Sequence, residues 1–105
     1  MPVSTPTATP LLEPVVVTDR GWKVVIYNDD VTPAELVVLG LQKAAGLSLE
    51  VADMVMQEAH SQGQATVRRG LTLEDAERMC MSLKKHTRLD GVCPGVDCEP
   101  QRDDP

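Results

Sequence analysis

Residues 22–34, "WKVVIYNDDVTPA", pass from a short β-branched and aromatic segment, through an amide and two carboxylates, directly into helix-start chemistry. No other stretch limits the fold as strongly. Val24, Val25 and Ile26 stand in a row, which suits a strand buried on both faces. Thr32 as N-cap, Pro33 at the first helical position and Glu35 three residues after the cap predict a helix at once, with Val31 and Leu36 placed for a hydrophobic staple.

Val37, Leu41 and Ala44 keep helical spacing until Gly46, whose left-handed conformation can end the helix. Ser48 then caps a second helix that carries Ala52, Val55, Met56 and Ala59 on one face and ends at His60 and Gly63. "QATV" reads as a short strand and "RRG" as a turn. Thr72 with Asp75 opens a third helix with the stripe Ala76, Met79, Cys80 and Leu83, running to about Arg88. "GVCPGVDCEP" reads as an edge strand, because its prolines and glycines would spoil a central one.

The expected fold is therefore α+β, in the order strand, helix, helix, strand, helix, strand, with three helices packed on a small, mostly antiparallel three-stranded sheet. Residues 1–20, rich in Pro, Ser and Thr, read as a flexible extension, residues 21–100 as the domain, and 101–105 as a tail.

Composition excludes several functions. With 105 residues, a single domain buries only about 60–65% of its unfolded surface, so a large internal cavity is not expected. A net charge of −6, one Trp, one Tyr and no Phe leave little to hold phosphate backbones, anionic lipid or stacked bases. Neither a spanning segment nor a secretory signal is visible, and the odd set Cys80, Cys93 and Cys98 fits a reducing compartment, so a cytoplasmic location is expected.

Asn28, Asp29 and Asp30 have a local reading, in which Asx side chains bind turn amides and complement the helix dipole. His60 has one too, since an imidazole at a helix C-terminus is favourable in itself. Asp29 and Asp30 are too few for a hard metal, and Cys93, Cys98 and His86 are one ligand short of a zinc site, so no metal and no cofactor is expected. There is no phosphate loop and no nucleophile with an evident base, which gives an enzyme little footing.

"WKVVIYNDDVTPAELVV", Met56 and His60 within "VMQEAHSQGQATV", and "TLEDAE" together resemble the ClpS adaptors that serve the ATP-dependent Clp protease, over residues 22–90. The resemblance implies a non-enzymatic, monomeric adaptor. It would bind proteins whose first residue is Leu, Phe, Tyr or Trp and deliver them to a ClpA- or ClpC-type AAA+ unfoldase. Asn28, His60 and Asp30 would contact the α-amino group, Asp30 through water, and Asp29 would lie near the first peptide bonds. Ile26, Thr32, Ala34, Val37, Met56 and Ala59 would form the side-chain pocket, closed by Val92, Pro94 or Val96 from the final strand. Glu74 would face the unfoldase, although Met79 stands where the family has a Lys. The small Ala34 and Ala59 imply a roomier pocket that excludes Ile and Val less strictly.

Two rivals remain. A ribosomal-stalk-like interaction module would bind through an exposed helical face, and a metal-dependent enzyme would be built on Asp29, Asp30 and His60.

Overall fold

The computed structural model describes residues 19–103, so most of the expected N-terminal extension and the last two residues lie outside the described residues. Strand β1 spans Trp22–Tyr27, α1 Ala34–Ala45, α2 Leu49–Gln62, β2 Gln64–Leu71, α3 Leu73–Thr87 and β3 Cys98–Arg102. The three strands form one sheet in the order β2-β1-β3, and both pairings are antiparallel. This is the expected α+β order. Among the described residues no helix is long and apolar enough to cross a membrane.

β1 is the central strand, which explains its unbroken apolar run. Val24 and Ile26 join Ala65 and Val67 of β2 in a core shared with Val37 and Leu41 of α1, Val55 and Ala59 of α2, and Leu83 of α3. Val25 points to the opposite face yet is only 1% exposed. On that face its cross-strand neighbours are Thr66 and Glu99, and Tyr27 Oη donates to Glu99 while Gln101 Nε2 donates to both Tyr27 and Glu99, all at 2.8 Å.

The expected caps of α2 and α3 are present: Ser48 Oγ accepts from Val51 N at 3.2 Å and Thr72 Oγ1 from Asp75 N at 3.1 Å. Gly46 and Gly63 end α1 and α2 with φ of 69° and 92°.

Three boundaries differ from expectation. Thr32 does not cap α1. Its amide and hydroxyl both donate to Asp29, so Pro33 stands at the cap without a side-chain bond, and Val31 is 55% exposed rather than buried as a staple. The "RRG" segment is not a turn but the second half of β2. Two register shifts against β1 absorb extra residues there, Gly70 takes φ 71°, and Arg68 Nε donates to the Ala45 carbonyl of α1 at 2.7 Å. The final strand lies later than expected, reaching Gln101 and Arg102, and as an edge strand it tolerates Pro100.

Candidate functional site

The site forms where β1 ends. Past Tyr27 the chain leaves the sheet, and the Asn28 amide donates to the Gly63 carbonyl at 3.0 Å. Gly63 is the left-handed residue that closes α2, its own amide bonded to Ala59 O at 2.9 Å. The end of the central strand is thus fastened to the last turn of α2, which carries His60. The residues after Asn28 are turned by Asp29: Oδ1 accepts from Val31 N at 2.8 Å and Thr32 N at 2.6 Å, and Oδ2 accepts from Thr32 Oγ1 at 2.9 Å. This Asx turn aims α1 back over the sheet.

A cavity of about 230 Å³ lies between these elements. Ile26, Thr32, Val37, Ala59 and Val96 line it as buried residues, Met56 is half-buried, and Ala34 stands exposed at the mouth. Its polar rim consists of Asn28, Asp29, Asp30 and His60. All ten residues expected at the amino group, the peptide backbone and the side-chain pocket therefore line one hollow.

The electrostatics of the rim are one-sided. Two carboxylates line the cavity and neither Lys nor Arg does. The Asp29 carboxylate is occupied by its turn. The side chains of Asn28, Asp30 and His60, by contrast, bond to no described residue, which leaves an amide, a carboxylate and an imidazole turned to solvent beside an apolar hollow. Such a mouth suits a cation that carries several donors, attached to an apolar group. For scale, a dry cavity of about 150 Å³ accepts benzene, so a side chain the size of Leu or Phe fits. A larger groove, about 610 Å³, lies at the end of α3, but Lys84, Lys85 and Arg88 line it and would repel such a ligand.

One lining residue, Tyr27, was not singled out from sequence, and Val96 was one of three candidates for closing the pocket. Tyr27 contributes to the wall. The Glu99 carboxylate beside its hydroxyl holds the phenol protonated to higher pH than usual, and the Gln101 amide and that same phenol hold Glu99 below the usual carboxylate range. Val96 is the one of the three candidate closing residues that is buried: it is 3% exposed against 53% for Val92, and Pro94 is exposed. Thr87, at the end of α3, fixes it by accepting from Val96 N at 2.9 Å while donating to Leu83 O at 2.7 Å.

Glu74 lies elsewhere, exposed in the first turn of α3, where its carboxylate is 3.4 Å from Arg78 Nη2. Met79 packs against the core, so no cation replaces the Lys expected at that place. Among the described residues no group of three or more His, Cys, Asp and Glu side chains could hold a metal ion.

The chain matches the family model described as ATP-dependent Clp protease adaptor protein ClpS over residues 17–98. It is 35% identical over 78 residues to the ATP-dependent Clp protease adapter protein ClpS of Bdellovibrio bacteriovorus, covering 74% of this chain and 68% of that protein. Among solved structures it is similar to Agrobacterium tumefaciens ClpS2 bound to L-phenylalaninamide, with a TM-score of 0.57 and 29% identity, over 76% of this chain and 95% of that one.

Proposed function

The chain belongs to the ClpS family of adaptors of the ATP-dependent Clp protease, and on that premise we propose that its cavity captures the free N-terminus of a protein whose first residue is bulky and apolar. One observation carries this reading: three unpartnered acceptors, Asn28, Asp30 and His60, stand at the mouth of an apolar hollow that no Lys or Arg lines. L-Phenylalaninamide, bound by the Agrobacterium relative, carries a free α-amino group beside a benzyl side chain, the combination such a mouth would accept.

An α-ammonium has a charge and three donors, whereas an internal peptide nitrogen has one donor and no charge. The Asn28 amide oxygen, an unprotonated His60 nitrogen and a water ordered by Asp30 would meet it. Only the neutral imidazole accepts, so acid opposes capture. Two or three charge-assisted bonds at about 1.5–3 kcal/mol each, with about 2–3 kcal/mol for burying a Leu or Phe side chain, exceed the ordering costs enough for micromolar binding, about −8 kcal/mol.

The two neighbouring aspartates separate recognition from folding. Asp30→Ala removes an exposed carboxylate with no protein partner, so stability should stay within about 0.5 kcal/mol while affinity for a Leu-starting peptide falls about 10-fold or more. Asp29→Ala removes three turn bonds and should cost about 1–3 kcal/mol of stability. Calorimetric titration and denaturant melts check both. Unchanged affinity in Asp30→Ala would remove Asp30 from the reading.

Ala34 at the mouth and Ala59 in the wall leave room beside Thr32 and Met56, so Leu, Phe, Tyr and Trp are the expected first residues, with Ile and Val weakly admitted. Ala34→Met should narrow the mouth and selectively weaken the β-branched pair. Peptides differing only in their first residue measure this, and identical rankings for wild type and variant refute it.

Delivery goes to the N-terminal domain of a ClpA- or ClpC-type unfoldase, with Glu74 on the contacting face and the N-terminal extension engaging the machine. Deleting residues 1–20 should spare peptide binding and slow degradation of a bound client. Equal degradation rates with and without them would contradict that role.

A further inference from the structure

The pocket uses none of the three cysteines, and all three are free thiols. Cys93 is buried and donates to the Thr87 carbonyl with an S···O distance of 3.4 Å. The other two have found each other from separate elements. Cys80 lies in the middle of α3 and Cys98 is the first residue of β3, and α3 packs against β3. Both are half-buried, and Cys98 Sγ donates to the Cys80 carbonyl oxygen at 3.4 Å, which sets the Cys98 sulfur against the main chain of Cys80.

We propose that Cys80 and Cys98 are a peroxide-reactive dithiol that closes into an intramolecular disulfide joining α3 to β3. The Cys98 sulfur already touches the main chain of Cys80, so closure would need side-chain rotation rather than a large shift of either element, and neither thiol is sealed from a small oxidant. Their environments also divide the labour. The hydrogen bond from the Cys80 thiol, and then the charge of Lys84, hold Cys98 below the usual thiol range against the cost of its burial. The same hydrogen bond, with burial, pushes Cys80 up. Cys98 is therefore the thiol that ionises first and Cys80 the one that resolves.

The chemistry balances with hydrogen peroxide as oxidant. The Cys98 thiolate attacks one peroxide oxygen, the O–O bond breaks, and the departing hydroxide takes a proton to become water, leaving a sulfenic acid. Cys80 sulfur then attacks Cys98 sulfur, the S–O bond breaks, and the Cys80 proton leaves with the hydroxide as a second water. Two electrons pass from the sulfurs to the peroxide. A dithiol reductant reverses the bond by exchange.

The bond would act on the wall of the cavity. Cys98 pairs with Ile26 in the β1–β3 ladder, and Val96 precedes it by two residues, so the disulfide would fasten to α3 the segment that carries the lining residue Val96 and is laddered to a second one, Ile26 of β1. This inference stands on the thiol geometry and not on what the cavity binds.

The test treats reduced full-length protein with a slight excess of hydrogen peroxide, alkylates it under denaturing conditions and maps the peptides by mass spectrometry. The expected product is a monomer that has lost the mass of two hydrogens, is alkylated only at Cys93, yields a linked Cys80–Cys98 peptide and reverts with dithiothreitol. Cys80→Ser should instead accumulate a Cys98 sulfenic acid that dimedone traps, and Cys93→Ser should cross-link like wild type. The oxidised protein should melt several degrees higher than the reduced one, a difference absent from Cys80→Ser. Alkylation of all three cysteines, a link that includes Cys93, a chain-to-chain dimer as main product, or equal melting of the two states would overturn the proposal.

Discussion

A Leu-starting peptide that carries an acetyl group on its N-terminus should bind at least about 100-fold more weakly than the same peptide with a free amine. Acetylation removes the positive charge and leaves a single N–H donor. The apolar side chain could still enter the cavity, but Asn28, His60 and the Asp30 carboxylate would face an amide that satisfies at most one of them, and the added methyl and carbonyl would occupy the mouth. Losing two charge-assisted bonds accounts for about 3–6 kcal/mol, more than the apolar contact supplies. An Ala-starting peptide tests the other half, since it keeps the amine and loses most of the buried surface. Fluorescence anisotropy with the three peptides measures both. If the capped peptide competed as well as the free one, an exposed helical face, as in a stalk-like module, would become the better account.

The second large effect concerns folding. Gly95→Ala should destabilise the protein by about 2–5 kcal/mol, because it adds left-handed strain and an overpacked contact. Gly95 has φ 102°, and a Cβ built there would stand 2.5 Å from the Lys84 carbonyl oxygen and 3.2 Å from Thr87 Oγ1. The nearer obstacle is backbone in the last turns of α3, so it cannot swing away as a side chain would. Gly91→Ala is the control, with φ 80° but open space around it, and should cost about 1 kcal/mol from strain alone. In a domain this small each kcal/mol shifts the melting midpoint by about 4–8 °C, so circular dichroism resolves the two. Equal midpoints would show that the Gly95 loop does not press on α3. Because Val96 follows directly, peptide affinity should fall with Gly95→Ala even below its melting temperature.

The reach of the sequence followed the reach of its signals. Ser48, Thr72, Gly46 and Gly63 act within four residues of themselves, and each does what its local chemistry implies. The ten expected site residues come from two short stretches, residues 26–37 from the end of β1 into α1 and residues 56–60 near the end of α2, and the structure brings both to one cavity. What stayed hidden was decided by groups distant in the chain or by competition between near ones. Thr32 has the position and chemistry of an N-cap, but Asp29 takes both its amide and its hydroxyl. The strand character of Arg68, Arg69 and Gly70 depends on register shifts that only pairing with β1 reveals. Val96 could not be told from Val92 and Pro94 because the deciding partner, the Thr87 hydroxyl, belongs to a helix that ends nine residues earlier.

The middle position of β1 has a mechanical side. Asn28 continues from that strand, with β2 laddered along one side and β3 along the other. Tension applied at Asn28 along β1 would enter the fold on the strand axis, perpendicular to the rungs on both flanks. Those rungs are loaded together in shear and share the pull, whereas the same axial pull on either outer strand would fall on a single ladder.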